Sequence, residues 1–134
     1  MASIRKEIVV ENSPENVWDA IRDVGALHKR LVPGFVTDCC MDGDAARMVT
    51  FGNGMTVREL IIDVNDKDRR LVWSAVGGRL SHHNASVQVF PEGTNKARIV
   101  WTADLLPNEM ATAIDGMIQQ GIGVMKKTLD RKPG

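Results

Sequence analysis

The chain has no tyrosine, and only three tryptophans and three phenylalanines among its 134 residues. No phenolic hydroxyl is therefore available as an acid or as a hydrogen-bond partner. An excess of charge of one sign is also missing, since 17 lysines and arginines balance 17 aspartates and glutamates. A nucleic-acid surface needs a basic excess or a basic stripe, and here the basic residues are interspersed with acids, so nucleic acid is not an expected partner. No apolar run approaches the ~18 residues of a membrane-spanning helix. Met1–Lys6 carry charge with no apolar stretch behind it and do not read as a secretory signal. Cysteine is limited to the neighbours Cys39 and Cys40. Adjacent strand residues point to opposite faces and bridge only with strain, so both are expected as free thiols, which suits the reducing cytoplasm. They also lack the spacer and second pair of a metal site. No nucleophile elbow, phosphate loop or metal-ligand motif occurs, so neither cofactor nor metal is expected.

What is present suits one globular domain spanning residues 1–134. Hydrophobic residues make up 43% and charged residues 25%, ordinary values for a chain long enough to bury a core. No internal repeat, low-complexity tract or linker interrupts it. Ser3–Val10 places Ile4, Ile8 and Val10 on one face and predicts a strand. Ser13-Pro14-Glu15 is a helix start: Ser13 can cap, Pro14 fits the first position, and Glu15 complements the helix dipole. Gly25 breaks that helix, and a second short one ends before Pro33-Gly34. Six strand-like segments follow: Phe35–Met41, Arg47–Phe51, Met55–Val64, Leu71–Val76, His83–Phe90 and Ala97–Leu105. Gly52-Asn53-Gly54 and Gly77-Gly78 are hairpin signals between them, and the short spacing predicts antiparallel pairing. Pro107 then opens a long helix with Met110, Ile114, Met117, Ile118, Gly121, Ile122, Met125 and Leu129 at helical spacing, followed by the polar tail Asp130–Gly134. The expected class is α+β: a curved antiparallel sheet, two short helices and a long C-terminal helix packed across it.

Several stretches carry a likeness. Ser13-Pro14-Glu15-Asn16-Val17-Trp18, Leu31-Val32-Pro33-Gly34, Val57-Arg58-Glu59-Leu60 and Arg70-Leu71-Val72-Trp73, together with the final helix, resemble the START-like superfamily, in particular its bacterial polyketide cyclase/dehydrase and lipid-transport branch. The resemblance implies the helix-grip fold, with an apolar ligand cavity between the concave sheet and the last helix. It implies a pocket without implying catalysis. One departure stands out: many relatives carry a tryptophan before the proline that leaves the second short helix, where this chain has His28-Lys29-Arg30-Leu31-Val32-Pro33. A pocket wall that an aromatic usually supplies is then built differently, and the phenolic acid of some cyclase proposals has no tyrosine to provide it.

The candidate ligand-binding residues follow from strand and helix parity. His83 shares a face with Ala85, Val87 and Val89, where an imidazole can act as acid, base or hydrogen-bond partner; a strand-end histidine bonded to backbone gives the same pattern. Arg58 groups with Leu60 and Ile62, whereas Glu59 groups with Val57 and Ile61, so parity does not say which charge points inward. Trp73 and Trp101 are either flat cavity walls or core. On the last helix Gly121 makes room for close packing or for a ligand, and Met117 offers an adaptable surface. His28 lies near the expected cavity mouth or simply on the surface.

Two functions fit. The first is binding of a small hydrophobic or amphipathic molecule in the cavity. The second is a cyclase or dehydratase acting on an aromatic or polyketide-like substrate, with His83 as acid/base and Arg58 or Glu59 orienting it. An apolar patch beside the last helix would also support a homodimer.

Overall fold

A computed structural model describes residues 1–130; of the expected polar tail, the part beyond Asp130 lies outside the described residues. Seven strands run in chain order as β1 (Ala2–Val10), β2 (Val36–Met41), β3 (Ala46–Phe51), β4 (Thr56–Asn65), β5 (Arg70–Val76), β6 (His82–Pro91) and β7 (Ala97–Leu106). They form one antiparallel sheet in the order β1-β7-β6-β5-β4-β3-β2. Five hairpins build β2 to β7 in sequence, and β1 closes on β7, with Ile4 opposite Ala103 and Ile8 opposite Ile99. Between β1 and β2 lie α1 (Pro14–Arg22), a 3-10 turn at Val24–Ala26 and the single-turn α2 (Leu27–Arg30). The long α3 (Ala111–Leu129) crosses the concave face. This is the helix-grip arrangement expected from the sequence.

Local chemistry explains the elements. Ser13 caps α1, its Oγ accepting from the Asn16 amide at 3.1 Å. The β5–β6 turn uses Gly77 and Gly78 at φ of 89° and 65°, a conformation that side chains with a Cβ resist. α3 buries Ile118, Gly121, Ile122, Met125 and Leu129, a stripe at 3- and 4-residue spacing. Pro107 does not open this helix directly. Its extended backbone and lack of a capping side chain give first a 3-10 turn over Asn108–Met110, with the Met110 amide donating to the Pro107 carbonyl at 3.0 Å. Cys39 is buried and Cys40 exposed, both unbridged.

A register shift in β4 between Ile61 and Asp63 adds one residue to the strand, so that Ile61 and Val64 both pair with cavity-side partners, Trp73 and Leu71, while Ile62 lies 54% exposed.

The far end of α3 is tied to the β1–α1 junction by Asn12. This buried amide donates to the Leu129 carbonyl at 3.0 Å, and its oxygen accepts from the Ser13 amide at 2.9 Å and from Asn16 Nδ2 at 3.1 Å. Lys126 reinforces the joint by donating to the Val9 carbonyl at 2.8 Å. Asn12→Ala orphans two backbone groups at once. We expect it to lower unfolding free energy by about 1–3 kcal/mol, read as a lower urea midpoint at unchanged slope.

Candidate functional site

Between the concave sheet and α3 lies a cavity of about 460 Å³. Most of its wall is apolar. Ile21 comes from α1, Leu27 and Leu31 from the α2 region, Val49, Leu71 and Val87 from the sheet, and Met117, Ile118 and Met125 from α3. The exposed parts of the lining are Asn53 and Met55 at the β3–β4 turn, Gly77, Gly78 and Arg79 at the β5–β6 turn and Ala113 near the start of α3, which places the opening there.

One polar row crosses this apolar floor. Arg47 on β3 stands opposite Glu59 on β4, and Glu59 stands opposite Ala75 on β5. The next strand, β6, contributes His83, whose Nδ1 accepts from the Ala75 amide at 2.9 Å. Four adjacent strands thus present arginine, glutamate, alanine and histidine in line, all lining the cavity.

Each of the three guanidinium nitrogens has a partner. Arg47 Nε and Nη2 both meet Glu59 Oε1 at 2.9 Å, and Nη1 donates to the Val24 carbonyl at 3.0 Å. Its guanidinium carbon also sits 5.9 Å from the centre of the Trp73 ring. Arg47 is 2% and Glu59 7% exposed, so the pair is desolvated as well as bonded. Burial pushes the Glu59 carboxyl above its ordinary range, against the pull of Arg47. Both arginine contacts converge on Oε1, and among the described residues no donor reaches Oε2.

His83 is held just as firmly. The ladder between β5 and β6 ends at Trp73 opposite Ala85, and beyond it the imidazole replaces a backbone carbonyl as acceptor for Ala75. The Ser74 hydroxyl donates to the His83 carbonyl. With Nδ1 accepting, Nε2 carries the proton of the neutral ring. Burial, and to a lesser extent His82, holds the imidazole pKa below its ordinary value, so the ring is neutral at physiological pH.

The structure separates the residues singled out from sequence. Glu59, His83, Trp73, Trp101 and Met117 share the cavity wall. Trp73 and Trp101 lie 5.9 Å apart, ring centre to ring centre, and the buried Trp101 Nε1 finds no partner among the described residues. Arg58 does not join them. Strand alternation puts it on the convex face, exposed and paired with Asp42 at 3.2 Å. Gly121 lines no part of the cavity; a Cβ there would come within 2.9 Å of Phe35 and 3.2 Å of Trp101, so its bare backbone is what lets α3 close on those rings. His28 lies in α2, but Leu27 and Leu31 face the cavity in its place. Arg47 was not singled out, although it shares parity with Val49 and Phe51, both on the cavity wall.

Among the described residues no three His, Cys, Asp or Glu side chains stand close enough to hold a metal ion, and no helix is long and apolar enough to cross a membrane.

Known proteins share this architecture. Protein XoxI from Bacillus cereus superposes with a TM-score of 0.86 at 20% identity, covering 96% of each chain. A START superfamily protein from Mycobacterium smegmatis gives 0.74 at 11% identity, over 96% of this chain and 94% of that one. Norcoclaurine synthase from Thalictrum flavum gives 0.72 at 20% identity, over 96% of this chain and 83% of that one. At such identities the likeness is one of fold. No curated protein matches the sequence. The model of the polyketide cyclase/dehydrase and lipid transport family, however, matches residues 1–130, and the chain belongs to that family.

Proposed function

We propose that the protein binds a small hydrophobic or amphipathic molecule between the sheet and α3. The observation that carries this is a cavity of about 460 Å³ whose apolar wall is crossed by a single polar row, the usual make-up of a ligand pocket. Glu59, His83, Trp73, Trp101 and Met117 are its proposed contacts, and its two free thiols favour a cytoplasmic setting.

The geometry supports binding over acid–base chemistry at His83. The imidazole lone pair at Nδ1 is committed to the Ala75 amide and Nε2 bears the proton, so the ring has a donor to offer and no free base. A cyclase or dehydratase would need its base elsewhere in the cavity.

Native mass spectrometry of protein purified from its own host should find a stoichiometric small molecule carried along. Trp73 and Trp101 line the site, so the extracted molecule added back should change intrinsic fluorescence. Met117→Trp, which fills the cavity from α3, should weaken rebinding at least tenfold while circular dichroism stays native. An empty protein, or one whose Met117→Trp form binds equally well, counts against the proposal.

A further inference from the structure

The polar row has a gap in its middle, and the gap has a chemistry. Glu59 and His83 flank Ala75 on neighbouring strands, so their Cα atoms stand about two strand spacings, roughly 10 Å, apart. Between them the floor drops to a methyl group. On one side is a buried carboxylate with Oε2 unoccupied; on the other is an imidazole whose one free polar atom is Nε2–H. A group placed over Ala75 meets an acceptor and a donor together. A hydroxyl is both at once.

The same row is poorly suited to an anion. All three guanidinium nitrogens of Arg47 are already bonded, two of them to Glu59. An incoming carboxylate would find no free cation inside, would lie beside the Glu59 charge, and would lose its own hydration. The other cation of the lining, Arg79, stands exposed at the opening.

Resting on the binding role above, we propose that the Glu59–Ala75–His83 segment recognises a neutral, hydroxyl-bearing ring compound whose hydroxyl lies over Ala75, donates to Glu59 Oε2 and accepts from His83 Nε2–H. The apolar remainder of the ligand lies along Trp73, Trp101 and α3. Its polar group is read by hydrogen bonds, with no ion pair.

Three fluorescent probes with one ring system test this: 1-hydroxypyrene, 1-methoxypyrene and 1-pyrenecarboxylate. The expected order has the hydroxyl compound bound about tenfold or more tighter than the ether, the factor corresponding to one lost hydrogen bond to a charged acceptor. The carboxylate should be weaker still. Ala75→Val, which fills the gap with a residue that strands accept, should bring the hydroxyl compound down to the level of the ether. His83→Phe keeps a ring and removes the donor, and should weaken the hydroxyl compound and the ether alike, a readout that remains should Ala75→Val fail to fold. Tight binding of all three probes without discrimination, or a preference for the carboxylate, overturns the hydroxyl site and leaves the cavity's binding role standing. Binding of none of them overturns both.

Discussion

Replacing Arg47 by methionine should destabilise the protein by about 3–5 kcal/mol, because it strands the buried Glu59 without its cation and leaves the Val24 carbonyl with only the weak Cys39 thiol as donor. The loss should depend on pH, and its sign follows from linkage. Burial already raises the Glu59 carboxyl above its ordinary range while Arg47 opposes the rise. Without Arg47 the folded pKa climbs further, whereas the unfolded value stays near ~4.3. Below that unfolded value both states are protonated and the group costs nothing extra. As pH rises from there through the raised folded pKa, the folded state holds a proton that the unfolded state has released, and stability falls. The gap between wild type and Arg47→Met should therefore be small near pH 4 and widest at neutral pH and above. Urea unfolding across this range measures it. The double variant Arg47→Met/Glu59→Leu removes both charges and should recover most of the loss. A pH-independent gap, or a double variant as unstable as the single one, would show that Arg47 acts through packing alone.

The fold was legible because each element carries its own local signal. Ser13-Pro14 starts α1, Asn53-Gly54 and Gly77-Gly78 turn the hairpins, and the apolar stripe of α3 has a period no strand shares. The site was legible in part. His83 and Trp101 follow strand parity into the cavity without exception. The central strand did not yield, because both of its faces read as half apolar. Leu60 and Ile62 stand beside Arg58 on the convex face, where Ile62 is 54% exposed, while Val57 and Ile61 stand beside Glu59 on the other. The choice between Arg58 and Glu59 is settled by a cross-strand partner. Arg47 lies opposite Glu59 and can neutralise it inside, whereas Arg58 has Asp42 outside. Pairing of that kind is a fact of register between strands, which residue parity along one strand does not contain.

Trp73→Ala should cost about 3–5 kcal/mol, equivalent to a fall in Tm of about 10–20 °C for a domain of this size. Trp73 is 7% exposed, packs 5.9 Å from Trp101 and lies beneath the Arg47 guanidinium. Its loss removes a large buried surface and a cation–π partner together. The vacated space has a particular property, since Trp73 lines the cavity and its removal enlarges a pocket already open to the surface. An apolar molecule of matching size can therefore enter and restore the lost contacts. Indole should raise the Tm of Trp73→Ala by mass action, as any ligand of the native state does, and far more than it raises that of wild type. Trp18 provides the contrast. It is similarly buried, 6% exposed, but it bonds Asp66 through Nε1 and lines no part of the cavity. Trp18→Ala should also destabilise, yet indole should do little for it. Rescue of Trp73→Ala alone would mark the space beside Trp73 as one that a ligand occupies; equal rescue of both, or of neither, would mean that Trp73 serves the core and the cavity ends short of it.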